Sequence, residues 1–87
     1  MKVTQTAQFR KDVKQLRKRG KDLGKLTSIV DLLVSGDQLP DPFRDHALTG
    51  NWKGWRDCHI EPDWLLIYKP LSDELILGRS GSHSDLF

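Results

Sequence analysis

The chain has 87 residues, 37% hydrophobic and 30% charged. That suits one small soluble domain and excludes both a disordered chain and two separate cores. No apolar run nears the ~18 residues of a membrane span, and "MKVTQTAQFRKDV" lacks the apolar stretch of a secretory signal. A lone cysteine, Cys58, rules out an internal disulfide and a Cys-pair zinc motif, and with the missing signal it points to a reducing, cytoplasmic location. The formal charge of +2 hides a split. Residues 1–30 hold nine Lys/Arg against two Asp, while residues 31–87 hold five Lys/Arg against ten Asp/Glu. The basic third is a candidate footprint for nucleic acid or for an acidic protein.

In chain order, "MKVTQT" reads as a short strand centred on Val3. Thr6 suits a helix N-cap. Phe9, Val13 and Leu16 then recur at helical spacing among Arg10, Lys11, Lys14, Arg17, Lys18 and Arg19, and Gly20 stops the helix. Leu23, Leu26, Ile29, Val30 and Leu33 mark a second helix, closed by Ser35-Gly36. The short link predicts an antiparallel helical hairpin whose apolar stripe covers a sheet. "DQLPDPFRDHALTG" reads as a loop, because Pro40 and Pro42 remove donors and favour extended backbone.

The texture then changes. "WKGWRDCHI" and "WLLIYK" are rich in strand formers and flank Glu61-Pro62-Asp63, so they predict a β-hairpin. Ser72-Asp73-Glu74 predicts a second turn, "LILGR" a last strand, and "SGSHSDLF" a tail. The predicted order is β-α-α-β-β-β: an α+β fold with an antiparallel, twisted sheet and two helices on one face.

Strand alternation puts Trp55, Asp57 and His59 on one face, and Arg56, Cys58 and Ile60 on the other. By the same rule Leu75, Leu77 and Arg79 share a face. Asp63 stands across the hairpin turn, His46 lies upstream in the Pro-rich loop, and His83 follows Arg79 by four residues. Closing the hairpin gathers His59, Asp63, Arg79 and His83 near one sheet end. Three His, two Asp and an Arg are the parts of RNA cleavage by transesterification. A base takes the 2′-OH proton, an acid protonates the leaving 5′-oxygen, and a cation stabilises the phosphorane-like charge. No pair of candidate ligands has the spacing of a helical zinc motif, so neither a metal nor another cofactor is expected.

The block "DHALTGNWKGWRDCHIEPDWLLIYK", followed by "GRSGSHSDLF", resembles the YafQ-type toxins of the RelE/ParE superfamily. The N-terminal "FRKDVK" before a basic helix fits as well. The resemblance implies a RelE-like, microbial-RNase-like fold and ribosome-dependent endonucleolytic cleavage of mRNA. It also implies neutralisation by a cognate DinJ-like antitoxin in a heterotetramer, with DNA engaged only through that antitoxin. The family's active-site positions fall on His46, Asp57, His59, Asp63, Arg79, His83 and Phe87. His46 would be the base and His83 the acid; His59, Asp63 and Arg79 would orient groups and stabilise charge, and Phe87 would stack on a base. Cys58 replaces a small residue common in the family. Arg10, Lys11, Lys14, Arg17, Lys18 and Arg19 would dock on ribosomal RNA or on the antitoxin. A ParE-like toxin, inhibiting DNA gyrase by binding, is the alternative, but it leaves three His beside two Asp without a role. A third reading is a non-toxic partner that only buffers an antitoxin.

Overall fold

A computed structural model describes residues Met1–Phe87. The elements run β1 (Lys2–Gln5), α1 (Ala7–Lys18), α2 (Leu23–Val34), β2 (His46–Ala47), β3 (Arg56–Glu61), β4 (Trp64–Pro70), β5 (Glu74–Gly81) and α3 (His83–Leu86). Two 3₁₀ turns, Asp41–Phe43 and Gly50–Trp52, shape the long connection around β2.

The helical hairpin forms for local reasons. Thr6 Oγ1 accepts from the Phe9 N–H at 3.0 Å and so caps α1. Asp22 Oδ1 accepts from the Gly24 N–H at 3.0 Å and caps α2. Gly20, at φ +77°, takes the left-handed turn that lets the Lys21 N–H reach back to the Leu16 carbonyl. Phe9 and Leu16 of α1, with Leu26 and Ile29 of α2, are buried against Cys58, Ile60, Trp64, Leu66, Tyr68, Leu75 and Leu77. Apolar side chains at period 2 on three strands meet apolar side chains at helical period on two helices, and this forms the main core.

The five strands lie in the order β1-β5-β4-β3-β2. β2 through β5 pair antiparallel, but β1 runs parallel to β5, with Val3 opposite Leu75. The sheet is therefore mixed, where the sequence suggested antiparallel strands throughout. The helical hairpin lies between β1 and the rest of the sheet in sequence, so no tight turn fixes the direction of β1. The segment read as a loop also yields a strand, β2, which adds His46 and Ala47 to the sheet edge.

A second correction concerns β5. Tyr68 pairs with Leu77, but its neighbour Ile67 pairs with Arg79, so Gly78 is an extra residue in the strand. Leu77 stays in the helix-side core, whereas Arg79 changes to the face of Ile67. A Cβ on Gly78 would lie 2.5 Å from the Trp55 ring, so only glycine lets that indole cross the strand. The second face carries its own small cluster of Leu65, Ile67 and Leu86, walled by Leu48, Trp52 and Trp55. Trp52 and Trp55 meet edge to face at 5.7 Å.

Candidate active site

The second face carries the histidines. In register, His46 of β2 stands opposite Asp57 of β3, Asp57 opposite Ile67 of β4, and Ile67 opposite Arg79 of β5. Directly opposed residues share a face, so His46, Asp57 and Arg79 form one row across the sheet. His59 lies two residues along β3 from Asp57, on the same face, opposite Leu65.

Asp57 is at the centre and is buried, only 4% exposed. His46 Nδ1 lies 2.7 Å from the Arg44 carbonyl oxygen and 3.1 Å from Asp57 Oδ1. The ring aims its Nδ1–H at the carbonyl, and Asp57 Oδ1 is left buried without a well-formed hydrogen bond. Burial raises the Asp57 carboxyl above the usual range, opposed by the positive charge that His46, His59 and His83 bring. Three imidazoles thus surround a carboxylate with no competing donor of its own.

His83 is placed by the turn that ends the chain. The tail is a capped helical turn, α3, in which Ser82 Oγ accepts from the Asp85 N–H and Asp85 accepts from the Ser82 N–H. Leu86 packs onto Leu65 and Ile67. Asp63 Oδ1 accepts from the His83 backbone N–H at 2.9 Å and faces the His83 Nδ1 at 2.6 Å. These bonds, the backbone one foremost, hold the Asp63 carboxyl below its usual range. Since Asp63 is an ionised acceptor, Nδ1 is the protonated ring nitrogen that faces it. The His83 and His59 rings sit edge to face, with centroids 5.5 Å apart.

The structure therefore brings His46, Asp57, His59, Asp63 and His83 together. Arg79 shares their face but is tied elsewhere. Its Nε and Nη2 each donate to Asp12 of α1 at 3.0 Å, and the Ser80 N–H donates to the same carboxylate at 3.1 Å. β1 ends opposite Leu77, so Asp12 covers the edge of β5 that β1 leaves unpaired. Phe87 is 62% exposed, and its N–H donates to the His83 carbonyl. Cys58 is fully buried and its thiol is pushed up to about 12 by burial, which leaves it unreactive at neutral pH.

Of the basic side chains on α1 and at its C-cap, Arg19 has a partner that sequence did not suggest. Its Nη1 and Nη2 donate to Asp85 Oδ2 and Oδ1 at 2.6 and 3.1 Å, so it clamps the turn bearing His83. Arg10, Lys11, Lys14, Arg17 and Lys18 make no ion pair. Sequence reasoning also missed Asp12 and Arg44. An acidic residue alone on a basic helix was the available sign for Asp12; nothing in sequence marks the backbone carbonyl of Arg44.

A cluster of imidazoles and carboxylates on one face of a small mixed sheet, with a helical hairpin on the other, defines a class of compact α+β proteins. Within that class the assignment is specific. The family model for "bacterial toxin of type II toxin-antitoxin system, YafQ" matches residues 1–87, and the chain belongs to that family. It is 47% identical to the mRNA interferase toxin YafQ of Escherichia coli K12, over 98% of this chain and 94% of the relative. It is 38% identical to a putative toxin YafQ of Haemophilus influenzae, over 97% of this chain and 89% of that one. The crystal structure of YafQ from E. coli BL21(DE3) superposes with a TM-score of 0.94 at 44% identity, covering 98% of this chain and 96% of the other. The toxin in an E. coli DinJ-YafQ complex superposes at 0.92, with 45% identity and the same coverage. A copper-bound L66S mutant toxin from Helicobacter pylori superposes at 0.95, with 44% identity over 100% of this chain and 99% of that one. In the present chain no three His, Cys, Asp or Glu side chains are grouped to hold an ion.

Proposed function

We propose that this toxin is an endoribonuclease that cuts message on the translating ribosome, by acid–base transesterification without a metal, and that a DinJ-like antitoxin holds it in check. One observation carries the reading. Two histidines on the same sheet face each have Nδ1 committed, His46 to the Arg44 carbonyl and His83 to Asp63, which leaves both Nε2 atoms without a protein partner.

The two imidazoles then divide the work. With Nδ1 protonated, neutral His46 carries its lone pair on Nε2 and removes the 2′-OH proton. The 2′-oxygen attacks the adjacent phosphorus and forms a 2′,3′-cyclic phosphate as the bond to the 5′-oxygen breaks. His83, protonated on Nε2 in its imidazolium form, gives that proton to the departing oxygen. Asp57 stabilises positive charge as it appears on His46, and Asp63 orients the His83 ring. Arg79 retains Nη1 for a phosphate oxygen while Asp12 fixes its other nitrogens. His59 lies beside His83 and braces that ring. The exposed Phe87 is available to stack on a base.

No groove along the histidine face is long enough to hold a whole RNA strand in line, and such positioning is worth roughly 7–11 kcal/mol. The ribosome supplies it in this reading, with the unpaired cations of α1 docking on ribosomal RNA. The antitoxin binds the same basic third, and the assembly is a heterotetramer acting in the cytoplasm. The test is to add the protein to ribosomes translating a defined message and to map cuts by primer extension, with and without EDTA and with ribosome integrity kept by separate means. Codon-specific cuts that survive EDTA, absent from naked message, are expected. No cuts, with inhibition of gyrase supercoiling instead, would move the chain to the ParE-like reading.

A further inference from the structure

Beside the histidine cluster lies a cleft of about 500 Å³ between the Asp41–Phe43 turn and the β3–β4 hairpin. Pro42, Phe43 and Arg44 line one side, and His59, Ile60 and Pro62 the other. Its size falls within the ~300–1,000 Å³ of small-molecule sites. His59 lines the cleft and also belongs to the cluster, so the two adjoin.

Arg44 is the unusual residue. At φ +50° and ψ +43° it is the one non-glycine residue in the left-handed region. Such a conformation is costly for a residue with a Cβ and persists where surrounding structure imposes it. Here it directs the Arg44 carbonyl to His46 Nδ1. The side chain is exposed and has no carboxylate partner, whereas Arg19, Arg56 and Arg79 are each held by an aspartate. Of the acids near it, Asp41 lines a neighbouring cleft with Arg44 but makes no ion pair with it. Asp45 is taken by Arg56 and the Tyr68 hydroxyl. Glu61, on the cleft wall, is taken by Lys21 and Lys25 at 2.9 and 2.8 Å.

We propose that this cleft is a nucleotide subsite for the residue of the message next to the cut bond, with Arg44 contacting its phosphate. The apolar surfaces of Pro42 and Pro62, with the partly buried Phe43 ring beside them, suit a nucleobase, and a guanidinium with no ion-pair partner suits a phosphodiester oxygen. One residue would thus act twice: its backbone sets the tautomer of the base, and its side chain holds the phosphate near that base. The inference rests on the nuclease reading, but its test does not depend on cutting.

The test has two arms. In the first, the ¹⁵N-labelled protein is titrated with 2′-O-methyl trinucleotides, one per base, which lack the 2′-nucleophile and cannot be cut. Amide shifts at Phe43, Arg44, His59, Ile60 and Glu61 are expected, and lost in Arg44→Gln. Shifts confined to α1, or none at millimolar ligand, would overturn the subsite, and a guanidinium serving ribosomal RNA instead gives that outcome. In the second arm, cutting of ribosome-bound message is measured. Arg44→Gln should raise KM about tenfold with little change in kcat, and Arg44→Lys should recover part of the loss. Unchanged KM in Arg44→Gln would overturn the proposal. Failure of wild type to cut, with the amide shifts intact, would reject the nuclease reading and keep the subsite.

Discussion

Asp12 holds Arg79 at two points: Oδ2 accepts from Nε and Oδ1 from Nη2, each at 3.0 Å, across 67 residues of sequence. The same carboxylate accepts the Ser80 N–H, so it joins the first helix to the last strand beside the histidine row. Removing it leaves a half-buried guanidinium and a strand N–H without acceptors. Asp12→Ala should lose about 2–3 kcal/mol of stability in urea unfolding. A loss under 0.5 kcal/mol would show the contact to be incidental. Burial raises the Asp12 carboxyl, but Arg79, the Ser80 N–H and Gln8 outweigh it, and the net direction is down. A carboxyl lowered in the folded state adds stability that is fully present above its unfolded value of ~3.9 and lost as pH falls through the folded one. The gap between wild type and variant should therefore narrow only below about pH 4.

The helical hairpin and the three-strand meander were legible in sequence, because Phe9, Leu16, Leu26 and Ile29 repeat at helical spacing and the turns at Glu61–Asp63 and Ser72–Glu74 are marked by turn formers. The polar face of β3 was legible too, since Asp57 and His59 break an otherwise apolar alternation. What failed was long-range. The parallel β1–β5 pairing joins chain ends that no turn relates. The Gly78 bulge moves Arg79 off the face of Leu77, and it exists because Trp55 crosses there. The tail forms a turn capped by Ser82 and Asp85, too short for a periodicity argument to mark as a helix.

If His46 and His83 act as base and acid, each should contribute on the order of 10²–10⁴ to the rate. His46→Gln and His83→Gln should lose that much kcat on ribosome-bound message while keeping the unfolding midpoint. The double variant should fall short of the product of the two losses, because the groups act in one transition state. Wild-type cutting by folded His83→Gln would remove the tail from the mechanism.

Asp57 should trade stability for function. Burial raises its carboxyl in the folded state despite the three imidazoles, so keeping it ionised at neutral pH costs stability. Asp57→Asn should unfold at a higher temperature at pH 7. The difference should fade below about pH 4, where both states of the wild type carry the proton. Cutting should drop by about tenfold or more, since the developing charge on His46 loses its counter-ion. A variant both less stable at pH 7 and fully active would contradict both halves.

Arg19 and Asp85 form a two-point contact that fastens α3 to α1, and Asp85 also closes the capping box under His83. Arg19→Gln and Asp85→Asn should each speed amide exchange at Asp85, Leu86 and Phe87 and lower kcat several-fold. Combined, they should do little more than Asp85→Asn alone, because the pair is already broken. Lowered ribosome affinity with unchanged exchange in Arg19→Gln would instead return Arg19 to the docking surface.

The remaining cations of α1 have no carboxylate partner in the chain, and that makes them available to an external one. Lys11, Lys14, Arg17 and Lys18 lie on the same helix, within a segment holding nine Lys/Arg against two Asp. A field of one sign acts mainly on encounter, so it should speed association with an acidic antitoxin and with ribosomal RNA more than it lengthens the life of either complex. Replacing all four with Gln should slow antitoxin association and flatten its dependence on salt between 50 and 500 mM, because screening has less charge to act on. Ribosome binding should weaken with a smaller salt slope. The histidine cluster lies on the opposite sheet face, so its amide signals should stay in place. Association rates that match wild type across the salt series, for antitoxin and ribosome alike, would make this face a solvated surface and send the search for both contacts to the histidine side.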